Sequence, residues 1–209
     1  EGDFFAKAVS GVERILYKEK PNFLIIQGDT NTALAGCFAA SVYNRRQDKK
    51  INIVHVEAGL RSFDNNMPEE INRKLIDQMS NILFVPTKFD LENLKSEDIT
   101  LDKKIFITGN TISDIVKNYL PLIKKNNILE MFQIFKKEYF LLTLHRPESV
   151  DDVSKFKKLI LNINKIGKKF NIQFLFPVHP RTEKIIKKIE VKQFKNIIFS
   201  KPLNFLDFL

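Results

Sequence analysis

The 209 residues contain no GxGxxG dinucleotide fingerprint, no P-loop and no CxxC pair. Their absence argues against nicotinamide or flavin binding through a fingerprint loop, against a Walker-type nucleotidase and against dithiol redox chemistry. No apolar run approaches the roughly 20 residues of a membrane helix. The chain does not open with a basic segment followed by an apolar one, so no signal peptide is expected. The single cysteine, Cys37, has no intrachain partner and sits in the apolar stretch "ALAGCFAA". It reads as a small core residue in a reducing compartment, not as a nucleophile, and points to the cytoplasm. His55, His145 and His179 lie on three different strands, so no metal-ligand constellation is expected. Internal repeats and low-complexity tracts are also lacking.

Apolar residues make up 44% and charged residues 28%, the mix of a globular protein. The length suits one large domain or two modest ones. Net charge is +9, from 34 Lys and Arg against 25 Asp and Glu. Most lysines alternate with Ile, Leu and Phe, as in "VSKFKKLILNINKIGKK" and "EKIIKKIEVKQFK". Such spacing describes the solvated faces of amphipathic helices. A general bias toward Lys, Ile and Asn accounts for the charge, and a nucleic-acid-binding role is not expected.

The pattern alternates strand and helix. Short apolar runs predict strands at Phe23–Gln27, Ile51–Val56, Ile82–Pro86, Ile105–Thr108, Tyr139–Leu144, Ile172–Val178 and Asn196–Ser200. A period of 3.6 residues predicts helices at Phe4–Tyr17, Thr32–Arg46, Pro68–Asn81, Lys88–Ser96, Ser113–Tyr119, Asp151–Lys168 and Arg181–Glu190. Near-continuous apolar strands in this alternation imply parallel sheets covered on both faces. Pro121 and the Asn126–Asn127 pair interrupt the middle of the chain. We therefore expect an N-terminal Rossmann-like domain over 1–120, a connection over 121–136 and the first part of a second such domain over 137–209. The chain opens inside a helix and closes on "NFLDFL", so both domains are expected to be incomplete.

Ligands of open parallel sheets bind beyond the carboxyl ends of the strands. The segments there are "GDTNT", "EAGLR", "TK", "GNT", "HRPES" and "HPRTE", most of them richer in reactive groups than a connector needs. The opposite loops, such as "NRRQDKK", are plain. In "QGDTNT", Asp29 or Thr30 is placed to cap the next helix, whose N-terminus also suits a phosphate. Glu57 ends a buried strand; desolvation would suit it to proton transfer, and pairing with Arg61 or Arg73 is the plainer alternative. In "MPEEINR", Pro68 fits a first helical turn, Glu69 and Glu70 favour the positive end of the dipole, and Arg73 can pair with either. His145 and Arg146 stand at a strand mouth of the second domain, one able to move protons and the other to grip a diphosphate. His179 and Arg181 repeat that arrangement more weakly.

"GDTNT", "HVEAGLRSFDNNMPEEINR", "ILFVPT", "ITGNTISD", "HRPES" and "PVHPR" occur in the order and approximate spacing of the non-hydrolysing UDP-N-acetylglucosamine 2-epimerases, which the chain resembles along its whole length. The resemblance implies an α/β, GT-B-like fold with two Rossmann-like parallel-sheet domains flanking a cleft. It implies interconversion of UDP-GlcNAc and UDP-ManNAc by elimination of UDP to 2-acetamidoglucal and re-addition with inversion at C2. No cofactor and no metal is required by that reaction. It also implies that Asp29, Glu57, Glu69 and His145 are catalytic and that Arg61, Arg73 and Arg146 bind the substrate and its diphosphate. Glu70, Arg146 and His179 resemble parts of a site for a second UDP-GlcNAc that acts as activator. A homodimer, with no nucleic-acid or membrane partner, is expected of the complete protein.

Several features depart from the family pattern. Family segments expected before Glu1 and after Leu209 are missing, and "HRPES" stands where "HRREN"-type sequences are commoner. The "RSFDNNMPEE" wording is nearer to subgroups acting on related UDP-sugars or found in archaea. The rival readings are an epimerase of a modified UDP-sugar, a hydrolysing epimerase, a glycosyltransferase of the same fold and an inactive remnant.

Overall fold

The computed structural model describes residues 2–124, 126–136 and 138–209. The chain forms two compact units, Glu1–Asp114 and Ile115–Leu209.

The first unit runs α1 (Gly2–Glu19), β1 (Phe23–Gln27), α2 (Asn31–Arg46), β2 (Asn52–Val56), α3 (Pro68–Met79), β3 (Ile82–Val85), α4 (Lys88–Ser96) and β4 (Lys104–Ile107). The strands pair in parallel in the order β1-β2-β3-β4. Every connection is therefore a helical crossover, and all four carboxyl ends lie on one edge. Helix α5 (Thr111–Ile123) leads across the division into the second unit. There α6 (Ile128–Met131), β5 (Tyr139–Leu141), α7 (Pro147–Val150), α8 (Val153–Phe170), β6 (Gln173–Pro177), α9 (Pro180–Ile186), β7 (Ile197–Ser200) and α10 (Phe205–Phe208) follow. Strands β5-β6-β7 form a second parallel sheet in sequential order.

All seven expected strands form, most of them shorter by one to three residues, and all seven expected helices form. The division between units falls inside α5, not at 121–136. Pro121 does not stop this helix, whose backbone continues to Ile123. Only a proline's own donor is lost, and near a helix end that costs one internal bond. The short α6, α7 and α10 were not expected, because one helical turn is too brief to show a period.

The core of the first unit joins Leu16 of α1, Cys37, Ala39, Ala40 and Tyr43 of α2, and Ile53 of β2. The small residues of α2 let α1 pack closely on one side while β1 and β2 lie on the other. A second cluster places Leu83 and Val85 of β3 against Leu94 of α4. In the second unit Phe156 and Ile160 of α8 pack with Phe176 of β6 and Ile185 of α9. The expectation of sheets covered on both faces holds at β2, where Ile53, Val54 and His55 are all buried. It fails at β1 and β4, where Ile25 and Phe106 stay exposed, and at β5, where Phe140 does. No helix among the described residues is long and apolar enough to cross a membrane.

Candidate active site

The carboxyl edge of the first sheet is built from two turns. After β1, Gly28 takes a left-handed φ of 72°, and Thr30 caps α2 by accepting a hydrogen bond from the Ala33 amide at 3.1 Å. Since Thr30 does the capping, the Asp29 carboxylate is left for other work. It accepts the Arg73 guanidinium through Nε at 3.1 Å and through Nη2. Asn72, one residue earlier on α3, donates to the Asp29 carbonyl at 2.8 Å and to Asn31 Oδ1 at 2.9 Å. Helix α3 thus holds this turn through two adjacent side chains.

After β2, Glu57 also has positive φ, at 72°. That region is costly for a residue with a Cβ, by about 1–2 kcal/mol. Its carboxylate accepts from Gln27 Nε2 at 3.2 Å, and the same amide donates to Thr111 Oγ1 at 3.3 Å. The alternative in which Glu57 pairs with Arg61 or Arg73 is not what forms. Glu57 is half-buried, and no salt bridge reaches it among the described residues.

Arg61 corrects the sequence reading. Its side chain is fully buried, donating to Asp77 at 2.8 Å and gripping Glu97 through Nε at 2.9 Å and Nη2 at 2.6 Å. A guanidinium so enclosed is a strut between α3 and α4 and has no free edge for a substrate. Burial works against its charge, but the two carboxylates outweigh that and raise its pKa. Glu70 is also buried. It accepts from the Ser62 amide at 2.8 Å, the Ser62 hydroxyl at 3.0 Å, the Phe63 amide at 3.2 Å and Arg73 Nη1 at 3.2 Å. Burial pushes its pKa up, yet these donors together hold it below the usual carboxylate range. Glu70 therefore fixes the Ser62–Phe63 loop, and of the two acids in "PEE" only Glu69 is exposed. Pro68 opens α3 as expected.

Beneath these turns lies a network that sequence reasoning missed. Asp77 is buried on α3. Its Oδ1 lies 2.6 Å from His55 Nδ1, and its Oδ2 accepts from the Gly59 amide at 3.1 Å and from Arg61. His55 Nε2 lies 3.1 Å from the Gly28 carbonyl. Lys103 Nζ donates to the backbone carbonyls of Asp77, Gln78 and Ser80 at the end of α3. No local period in the sequence signals it, because the faces of α3 are inverted. Ile71 and Leu75 are exposed, while Glu70, Asn72 and Asp77 are buried.

The second unit presents its own carboxyl edge. His145 follows β5 and His179 follows β6, both exposed, with ring centroids 5.3 Å apart. His179 caps α9 by accepting from the Arg181 amide at Nδ1, 3.1 Å away, which puts its remaining ring proton on Nε2. The Arg146 side chain is exposed. Arg181 pairs with Asp151 at 2.8 Å and lowers the pKa of that carboxyl. Buried Thr182 ties the two strand ends by donating to the Leu144 carbonyl at 2.6 Å. A pocket of about 340 Å³ opens here, walled by Leu144, His145, His179, Pro202 and Phe208. Beside it a basic pocket of about 600 Å³ is lined by His179, Arg181, Lys184 and Lys188.

Two groups of polar side chains thus crown parallel α/β sheets, one acidic with a buried arginine strut and one rich in histidine and arginine. The family model for UDP-N-acetylglucosamine 2-epimerase matches residues 1–209. The chain belongs to this family. It is 45% identical, over its full length, to UDP-N-acetylglucosamine 2-epimerase of Methanococcus maripaludis, covering 57% of that protein. A UDP-2,3-diacetamido-2,3-dideoxy-D-glucuronate 2-epimerase of Pseudomonas aeruginosa is 33% identical over all of the chain and 55% of its own length. Among solved structures, Methanocaldococcus jannaschii UDP-GlcNAc 2-epimerase in complex with UDP-GlcNAc and UDP matches with a TM-score of 0.85 at 42% identity, over 99% of this chain and 57% of that one. The chain spans somewhat over half the length of the curated relatives it matches. Within the 2-epimerase family, the strand-edge position of Asp29 and Glu57 and the exposure of Glu69 and His145 are the features to explain.

Proposed function

We propose that the protein carrying this chain is a UDP-N-acetylglucosamine 2-epimerase of the non-hydrolysing type. The observation that carries this reading is Glu57. It is a strand-edge carboxylate in a left-handed backbone conformation, held by the Gln27 amide and without a cationic partner among the described residues, in a chain that matches the family throughout. Gln27 donates to Oε1 alone, and among the described residues no side chain claims Oε2, which leaves that oxygen for a substrate proton.

In this reading a carboxylate removes the C2 proton of UDP-GlcNAc. The C1–O bond breaks, its electron pair leaves with UDP, and 2-acetamidoglucal remains. UDP then adds back at C1, and a proton reaches the opposite face of C2. The two faces call for more than one acid/base group, and Asp29, Glu57 and Glu69 supply them. Glu57 fits the role of base best; Arg73 orients Asp29 and adds positive charge at the same edge. His145, Arg146 and His179 Nε2–H are the donors for the charge growing on the departing diphosphate. Arg146 and His179 also suit a second UDP-GlcNAc acting as activator, with Glu70 contributing through the loop it holds. The complete protein acts as a cytoplasmic homodimer without cofactor.

The Pseudomonas aeruginosa relative supports a second reading, in which the sugar is a modified UDP-acetamido sugar. Full-length protein should be incubated with UDP-GlcNAc in heavy water and C2 followed by NMR. Deuterium at C2 with UDP-ManNAc appearing is the expected result. Intact, undeuterated UDP-GlcNAc would overturn the assignment, and exchange with a diacetamido uronic acid substrate would then establish the second reading.

A further inference from the structure

We propose that Asp77 is a positioning residue for this reaction, one buried carboxylate that fixes both turns carrying the strand-edge acids. The proposal rests on the epimerase reading above. Its two oxygens divide the work. Oδ2 accepts directly from the Gly59 amide at 3.1 Å, two residues after Glu57, and from Arg61 at 2.8 Å. Oδ1 acts through His55, whose far nitrogen meets the carbonyl of Gly28, the residue before Asp29.

The proton count makes the His55 arm specific. The Gly28 carbonyl can only accept, so Nε2 carries a proton. The other nitrogen, Nδ1, lies 2.6 Å from the Asp77 carboxylate, so both ring nitrogens are engaged. The pair is therefore a rigid rod from α3 to the β1 turn. Other charged or titratable groups around it are Arg61, with Glu97 behind it, Lys103 at the α3 end and the buried thiol of Cys37. None of these reaches the Gly28 carbonyl. Asp77 and His55 are both below 2% side-chain exposure, so neither touches a substrate. Their effect on chemistry must pass through the turns, and small misplacements there matter: about 1 Å can cost on the order of 100-fold in rate.

A purely structural network would lower stability without a regional pattern, and three substitutions separate the cases. His55→Phe cuts only the arm to Gly28. Asp77→Leu cuts both arms. Asp77→Asn keeps an acceptor for Gly59 and Arg61, and its amide can donate to a neutral His55, so the bonds survive while the charge is lost. Backbone hydrogen exchange should quicken at residues 28–31 in His55→Phe, at both 28–31 and 57–61 in Asp77→Leu, and at neither in Asp77→Asn. His55→Phe should lower kcat for C2 exchange about 100-fold with KM within about threefold, and Asp77→Asn should stay within about tenfold of the parent. Where Asp77→Leu does not fold, His55→Phe decides. A folded His55→Phe with unchanged kcat, or with quickened exchange at both turns alike, overturns the proposal. So does an Asp77→Asn variant as slow as His55→Phe. If the parent itself shows no C2 exchange, the epimerase reading fails. The amide pattern then still decides whether Asp77 fixes both turns.

Discussion

The Asp29 carboxylate is bound by Arg73, which shares its other amino group with buried Glu70. One guanidinium thus joins a strand-edge acid to the acid that holds the Ser62–Phe63 loop. Replacing it with Gln should loosen both. Glu70 keeps its three donors from Ser62 and Phe63, so the loss of stability should be about 1–3 kcal/mol and not a full buried-charge penalty. C2 exchange should fall at least roughly tenfold as Asp29 loses its orientation. Urea unfolding and the NMR assay on Arg73→Gln check this. Parent-like values in both would show that the pair does neither job.

Glu57 separates stability from activity. Its positive φ favours glycine, and among the described residues its side chain bonds only to an amide. Glu57→Gly should leave the midpoint of unfolding unchanged or raise stability by about 1 kcal/mol. Glu57→Gln should change stability by less than about 0.5 kcal/mol. Both should abolish C2 exchange. A Glu57→Gly protein that keeps its rate removes Glu57 from the chemistry. One that unfolds would show that the carboxylate is structural.

Much of this was legible in the sequence, for reasons particular residues show. Alternating apolar strands and amphipathic helices fix element type, so the seven strands and the two sheet edges, one bearing Asp29 and Glu57 and the other His145 and His179, could be placed. The interior was not legible. "PEEINRKLIDQM" carries Ile71 and Leu75 at helical spacing, which suggests that they face inward, yet they are exposed while Glu70, Asn72 and Asp77 are buried. A buried polar network is specified by partners distant in sequence, such as His55 and Glu97, and no local period reports it. For the same reason Arg61 read as a ligand contact when it is a strut.

Gly59 is set by close approach. Its φ is 80°, and an added Cβ would stand 2.9 Å from the Asp90 carbonyl carbon and nearer still to its oxygen. Backbone cannot swing aside as a side chain can. Gly59→Ala should therefore cost more than about 2 kcal/mol, from left-handed strain together with steric overlap. Gly28→Ala has comparable φ strain, but its nearest neighbour is the Glu57 side chain at 3.8 Å, and it should cost less. Equal losses in thermal unfolding would show that backbone conformation alone sets both.

Cys37 should be chemically silent. Burial pushes its thiol up to about 12, and it is fully enclosed between α2 and the rest of the core. The thiolate is the reactive form, so native protein should resist a thiol reagent at neutral pH and react only at the rate of unfolding. Rapid labelling of folded protein would contradict the packing of α2.

Glu70 predicts the direction of an acid effect. Its folded pKa lies below its ordinary value of 4.5. The deprotonated form therefore binds its donors best, and its contribution to stability is fully present above about pH 4.5. It is lost as pH falls through the lower folded value. Asp151, Asp152 and Glu183 are also lowered by their partners, so the parent will lose stability in acid for several reasons at once. The difference between parent and Glu70→Gln isolates one of them. Glu70→Gln should be less stable than the parent at about pH 7, with the gap narrowing as pH drops toward 3. A gap that stays constant in urea unfolding across that range would mean the loop is held by the shape of the Glu70 side chain and not by its charge.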